Sequence, residues 1–328
     1  MESKDFVVTY SQLLDFRKCR LMWDLTYRQQ YVPKQEKDYF AFGRALHYGL
    51  NCYYTNNGDF IQAVDGFDEV WSQYRKRVQD TSPISEMEMD AISQSRELAL
   101  HMLAEYDYLA KRVDDFEVVA LEKVIIKPLP TFSENTPFYL KGTVDGVVKD
   151  KRGLYWLLEF KTSKDMSDNW IELDEQATVY QWLAEQEYGV KIHGTYYTIM
   201  RKKIPEEPKV LKDGKLSKDK SQSTSPRQVL SYIESLEQLP DYTDFMAVMA
   251  NKFIKRIAIH RNAYEIVNTI DRICLVVEDM INPRVYASPD WNNCYWGCSF
   301  YRYCLALQDG SDTEDVLRTS FRKGNITW

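Results

Sequence analysis

The sequence predicts an α/β fold, with a central mixed β-sheet flanked by helices and organised as one domain over residues 1–328. Three observations predict it. Residues 138–149 and 153–162 are rich in β-branched and aromatic side chains and are separated by the turn signal Lys149-Asp-Lys-Arg-Gly153, so they read as a hairpin. A helix-period run over 174–188 leads into a second strand-like run over 192–200, which closes the sheet. Helix-period patterns dominate on both sides of this core.

Taken in order, residues 1–40 form an N-terminal segment and 41–115 a helical region. Within that region Phe42-Gly-Arg-Ala-Leu-His47 has apolar residues at helical spacing. A helix over 59–79 carries Trp71 and Tyr74, and another over 86–113 carries Leu98, Leu100, Leu103 and Tyr106. The core, 116–200, opens on a strand over 116–126 in which Glu122 faces either solvent or the sheet's functional side. Residues 201–227 have loop composition and read as either a solvated, mobile insertion or a flap over a ligand. The remainder, 228–328, follows a helix that starts at Ser225 and runs to Leu236; a second spans 244–280, and a cysteine-rich segment ends the chain. Within the second helix the run Phe253–Arg261 places Arg256 and Arg261 roughly on one side, where they could meet phosphates.

At 328 residues, 44% hydrophobic and 28% charged, the chain can bury a substantial core. No apolar run approaches a membrane span and nothing at the start reads as a signal peptide, so no membrane partner and a cytoplasmic location are expected. The formal charge of −7 is unevenly spread. Residues 201–227 hold nine Lys or Arg against four Asp or Glu, a local +5 that leaves −12 for the rest.

The chemistry concentrates on the hairpin. Side chains alternate along a strand, so Glu159 and Lys161 share a face and Phe160 points to the other, while Asp145 faces them from the neighbouring strand. Ionised carboxylates on a buried face are costly unless compensated, and a divalent cation with hard oxygen ligands offsets that cost. Asp145, Glu159 and the Phe160 carbonyl suit Mg²⁺. Lys161 could orient a water and balance charge building on a phosphate. The plainer alternative is a cross-strand ion pair on a solvated face. Gln176 and Tyr180 lie at i and i+4 on the following helix, hence on one face, and His47 precedes the sheet on a helix of its own. Singly, each of these reads as an ordinary helix residue.

Their order is more specific. Gly43-x-x-x-His47, Gly142-x-x-Asp145, Glu159-x-Lys161 and Gln176-x-x-x-Tyr180 occur in the sequence in which RecB-type nucleases of the PD-(D/E)xK superfamily carry them, and the chain resembles that family. The resemblance implies a restriction-endonuclease-like core in which His47, Asp145, Glu159 and the Phe160 carbonyl hold Mg²⁺ or Mn²⁺. It also implies that Lys161 is catalytic and that Gln176 and Tyr180 organise the DNA-facing side. A histidine ligand makes Mn²⁺ suitable, because imidazole favours transition metals.

Of the six cysteines, Cys294, Cys298 and Cys304 cluster near the end and Cys19 stands alone near the start. Three clustered thiols need a fourth ligand for zinc or an iron-sulfur cluster, and Cys19 is the natural candidate. The arrangement is similar to the iron-sulfur nuclease domains of AddB-type helicase-nucleases and of CRISPR-adaptation nucleases. That likeness implies a [4Fe-4S] cluster joining the two ends of the chain. The Cys294–Cys298 spacing is C-x3-C where that likeness predicts C-x2-C, which leaves zinc open. Cys52 and Cys274, each in a helical apolar pattern, read as packed core thiols.

Together these readings imply a metal-dependent DNA exonuclease acting on single-stranded or free ends, in a phage or bacterial replication, recombination or repair setting. The alternatives are a structure-selective endonuclease or RNase of the same fold, and a non-catalytic iron-sulfur DNA-binding component. No G-x-x-x-x-G-K-[ST] motif occurs in the sequence, so unwinding is expected from a helicase or recombination partner.

Overall fold

A computed structural model describes residues 6–35, 37–81, 86–130, 137–233 and 239–324. In chain order these form β1 (Phe6–Thr9), α1 (Tyr10–Lys18), α2 (Arg20–Trp23) with a wider turn over Asp24–Arg28, β2 (Tyr31–Pro33), α3 (Asp38–Thr55), α4 (Phe60–Thr81) and α5 (Glu86–Val113). The sheet core follows as β3 (Phe116–Pro128), β4 (Phe138–Asp150), β5 (Tyr155–Ser163), α6 (Glu175–Tyr188) and β6 (Ile192–Arg201). Then come α7 (Pro226–Ile233), α8 (Thr243–Met249), β7 (Ile254–Ile259), α9 (Ala263–Ile281), α10 (Trp291–Gly297), α11 (Tyr301–Asp309), α12 (Thr313–Ser320) and β8 (Phe321–Lys323).

The main sheet runs β1-β4-β5-β6-β7, with β3 on the other edge of β4. It is mixed: β4 with β5 and β6 with β7 are antiparallel, whereas β1 with β4 and β5 with β6 are parallel. The crossover through α6 makes the β5–β6 pair parallel, as a helical connection between neighbouring strands requires. The β4–β5 hairpin turns at Gly153, whose φ of +82° suits a residue without a side chain. Helices cover both faces. One core joins α1, α6 and α9 to the sheet through Leu13, Leu140, Val144, Val179, Leu183 and Ile273. The other joins α3, α4 and α5 to it through Leu46, Trp71, Leu103, Trp156, Leu158 and Phe160.

One feature of the sheet positions the site. Along one edge β4 pairs with β3 from Tyr139 to Asp150. On the other edge it is shared, because β1 pairs with residues 138–141 and β5 pairs with residues 146–149. Residues 142–145 therefore face a gap between β1 and β5, and both helical layers reach it. Gly142 lines this stretch. A Cβ there would lie 2.6 Å from Leu183 Cδ1 and 2.9 Å from Tyr180 Cε1, so α6 packs directly on the strand backbone. Gly142→Val should lower stability by roughly 1–3 kcal/mol, the range for overpacking, and urea denaturation reads the loss.

Two expectations are corrected. Residues 254–259 form a strand, not part of a helix: Ile254, Ile257 and Ile259 are β-branched, and the segment completes the sheet beside β6. Arg256 is consequently buried, its guanidinium paired with Asp114 and bonded to Tyr106 Oη and Thr198 Oγ1, both at 3.0 Å. Arg261 donates to the Ile171 carbonyl at 2.9 Å, with its side chain 8% exposed. Neither is a free phosphate contact. The basic segment is held at a few points, although residues 209–215 and 218–221 are exposed. Lys209 N–H donates to Gln222 Oε1 at 2.7 Å, and Leu216 N–H to Tyr242 Oη at 3.0 Å. Leu216 then packs with Val229, Ile233, Tyr242, Phe245 and Met249 as a small separate core. Ser225 precedes α7, and residues 234–236 of the expected helix lie outside the described residues. Among the described residues, no helix is long and apolar enough to cross a membrane.

Candidate active site

Strand alternation places Phe160 in the α3–α5 core and turns Glu159 and Lys161 toward α6. Glu159 is 4% exposed. Lys161 Nζ lies 2.7 Å from Glu159 Oε1 and donates to Gln176 Oε1 at 2.7 Å. Gln176 Nε2 in turn donates to Tyr180 Oη at 2.8 Å, the i,i+4 contact expected from their helix. Asp174 caps that helix, accepting from Gln176 N–H at 2.9 Å, while its second oxygen accepts from Tyr197 Oη at 2.9 Å. The lysine is thus held by a chain of contacts that starts at the helix N-terminus.

Asp145 stands in the gap of the sheet. Its Oδ2 accepts from Phe160 N–H at 2.8 Å, and its Oδ1 lies 3.2 Å from His47 Nδ1, which comes from α3 on the opposite layer. A strand residue points its N–H and C=O to the same edge, so the Phe160 carbonyl also opens into the gap. Glu122 completes the group. It falls between the pairs Leu121–Gly146 and Lys123–Val144, opposite Asp145, and has a φ of +44°, a strained conformation for a residue with a side chain. His47, Glu122 and Asp145 each offer a ligand atom within 4.8 Å of the others. The sequence named His47 and Asp145 but left Glu122 between solvent and site. Its pairing opposite Asp145 depends on the β3 register, which local pattern does not specify.

The electrostatics fit a cation. Burial and then Asp145 push the Glu122 carboxyl up to about 7, and the same causes push Glu159 up against the pull of Lys161. Burial is the largest influence on His47 and disfavours its charged form, but Asp145, Glu159 and Glu122 together outweigh it and carry the imidazole to about 9. These carboxylates repel one another where water cannot screen them, and a divalent ion is the chemistry that removes the repulsion. A pH dependence follows. The folded state holds protons on Glu122 that the unfolded chain releases near 4.5, and holds one on His47 that the unfolded chain releases near 6.5. Metal-free protein should therefore lose stability as pH rises from about 4.5 through 7, and again from about 6.5 through 9. Mn²⁺ should raise the melting temperature more at pH 8 than at pH 5, which scanning calorimetry with and without EDTA measures.

The thiols converge at a second place. Cys19, Cys294, Cys298 and Cys304 line one cavity of about 250 Å³, together with Trp291 and Tyr301. All are free. Ser288 N–H donates to Cys19 Sγ at 3.5 Å and Asp290 N–H to Cys294 Sγ at 3.4 Å. Burial pushes the Cys298 thiol up, and burial with the neighbouring sulfurs takes Cys304 to about 11. Among the described residues, no three of these sulfurs lie within 4.8 Å of one another. Cys274 is buried, as expected of a core thiol, whereas Cys52 is only half-buried.

A sheet split over a cluster of carboxylates, with a lysine on the neighbouring strand, defines a site of the metal-dependent phosphodiesterase type. The sequence profile of the PD-(D/E)XK nuclease superfamily matches residues 7–305, and the chain belongs to that superfamily. Comparison with curated proteins finds no match. Among solved structures the chain is similar to one titled "Crystal structure of SSO0001", at 12% identity and a TM-score of 0.37, over 93% of this chain and 89% of that one.

Proposed function

We propose that this nuclease is a DNA exonuclease that uses Mg²⁺ or Mn²⁺ and acts on single-stranded or free ends. The supporting observations are the Lys161 ammonium 2.7 Å from Glu159, the Asp145 carboxylate fixed by Phe160 N–H at 2.8 Å, and the repulsion between Asp145 and Glu159 across the two strands. Asp145, Glu159 and the Phe160 carbonyl would hold the ion, with His47 and Glu122 beside Asp145. When bound, such an ion polarises the phosphoryl oxygens and acidifies water. Lys161 holds the attacking water in line and balances charge developing on the phosphate, and Gln176, fixed by Tyr180, keeps the ammonium aimed.

The four cysteines would hold a [4Fe-4S] cluster that ties the N-terminal helix to the C-terminal segment. Thiols around one zinc lie roughly 4 Å apart, given Zn–S bonds near 2.3 Å. The wider spacing and the cavity suit the larger cluster. Trp291, 68% exposed at that cavity, and Trp296, 73% exposed on the same helix, would stack unpaired bases. A helicase or recombination partner would supply unwinding.

Labelled linear single strands, circular single strands, duplex and RNA, each with Mg²⁺, Mn²⁺ or EDTA, test the reading. Metal-dependent release of short products from linear DNA alone is expected. Cutting of circles or of RNA at equal rates would overturn the exonuclease assignment. Absorption near roughly 400 nm in anaerobically purified protein reports iron-sulfur, because zinc sites lack thiolate-to-iron charge transfer.

A further inference from the structure

Lys164, Arg201 and Lys202 lie together where β5 and β6 end. Among the described residues, no carboxylate pairs with Lys164, Arg201 or Lys202. Ser163 ends β5 opposite Arg201 of β6, and Lys202 N–H donates to the Ser163 carbonyl at 2.7 Å. The Arg201 guanidinium meets only the carbonyls of Lys164 and Lys252, each at 3.4 Å, and the ring of Phe253. Lys202 is half-buried, its ammonium 5.6 Å from the centre of the Phe42 ring. Burial and the neighbouring Lys164 both disfavour its charge.

Like charges held together without a counter-ion call for an anion, and this group lies beyond the end of the strand that carries Glu159 and Lys161. Ser163 is four residues beyond Glu159, or about 13 Å at roughly 3.3 Å per strand residue. Phe42, under Lys202, precedes Gly43, which lies one helical turn from His47. No heavy atom comes within 4 Å of where a Cβ of Gly43 would be, so α3 is open at this position. We propose that Lys164, Arg201 and Lys202 form a rim that grips the phosphate backbone of the nucleic-acid substrate and feeds it past Gly43 to the acid site. This rests on the nuclease reading. The rim contacts phosphates and not base edges, so it confers grip without sequence preference.

The test uses a fluorescein-labelled 20-nucleotide single strand in EDTA, where no cleavage interferes, with anisotropy measured across a salt series. Lys164→Ala/Lys202→Ala should weaken binding about tenfold at low salt and flatten the log–log salt slope by about 1.4, the value for two single-strand phosphate contacts. Hydrolysis of bis(p-nitrophenyl) phosphate with Mn²⁺, a substrate too short to reach the rim, should be unchanged. Lys111→Ala/Lys151→Ala removes the same charge from two lysines paired with Asp107 and Asp115, and should leave the slope unaltered. An unaltered slope in the first variant, with wild-type protein binding and cleaving normally, would overturn the rim. Equal flattening in both variants would reduce it to bulk charge. Wild-type protein that neither binds the strand nor hydrolyses either substrate would instead sink the nuclease reading on which it rests.

Discussion

Lys161→Ala should reduce metal-dependent DNA cleavage by about 10²–10³-fold while leaving the protein folded, the range for removing one preorganised group that stabilises transition-state charge. The ammonium is fixed between Glu159 and Gln176, both at 2.7 Å, so it needs no reorganisation when charge develops. Its loss leaves Glu159 buried and without its partner, but that carboxyl is already pushed toward protonation by burial and Asp145, and taking a proton relieves the strain. The fold should survive for this reason. Metal affinity should fall less than turnover, and titration of Mn²⁺ against rate separates the two. Equal losses in affinity and turnover would make Lys161 a support for the metal site only.

Arg256→Met should cost about 3–5 kcal/mol of stability, the range for breaking a buried ion pair from one side. The side chain is 10% exposed and its partner Asp114 14%. Asp114 also accepts from Tyr54 Oη at 2.6 Å, and Tyr106 Oη is bonded to Tyr54 and Arg256. Both tyrosines pack on Phe160, with ring centres 6.4 and 5.5 Å away, so the network backs the strand residue whose N–H fixes Asp145. Cleavage should decline along with stability. Asp114→Leu introduced together with Arg256→Met removes both charges and should recover much of the loss, and a urea double-mutant cycle measures the coupling. The salt dependence of DNA binding should be unchanged, because Arg256 faces the core.

What could be read from sequence was local. The faces of Glu159, Phe160 and Lys161 follow from strand alternation, and those of Gln176 and Tyr180 from the helical repeat, so the part of the site within 159–180 was legible. The gap that admits His47 was not. It exists because β1, more than 130 residues earlier in the chain, takes residues 138–141 of one edge of β4. Glu122 entered through the register of β3, again a long-range choice. The strand at Ile254–Ile259 was misread because a Lys-Arg pair among isoleucines also suits a helix, and the partner that buries Arg256 lies 142 residues away. The 201–227 segment has loop composition, yet Tyr242 and Gln222 supply hydrogen bonds that composition does not reveal. Cys19, Cys294, Cys298 and Cys304 line one cavity because the two ends of the chain meet there, a long-range arrangement that local pattern does not contain.

The proposed function depends on one divalent ion shared by Asp145 and Glu159. Anomalous diffraction from crystals soaked in Mn²⁺ locates such an ion directly. A single strong peak within bonding distance of Asp145, Glu159 and the Phe160 carbonyl is the predicted result. Saturating Mn²⁺ that gives no peak there, or places one only on surface carboxylates, would contradict it.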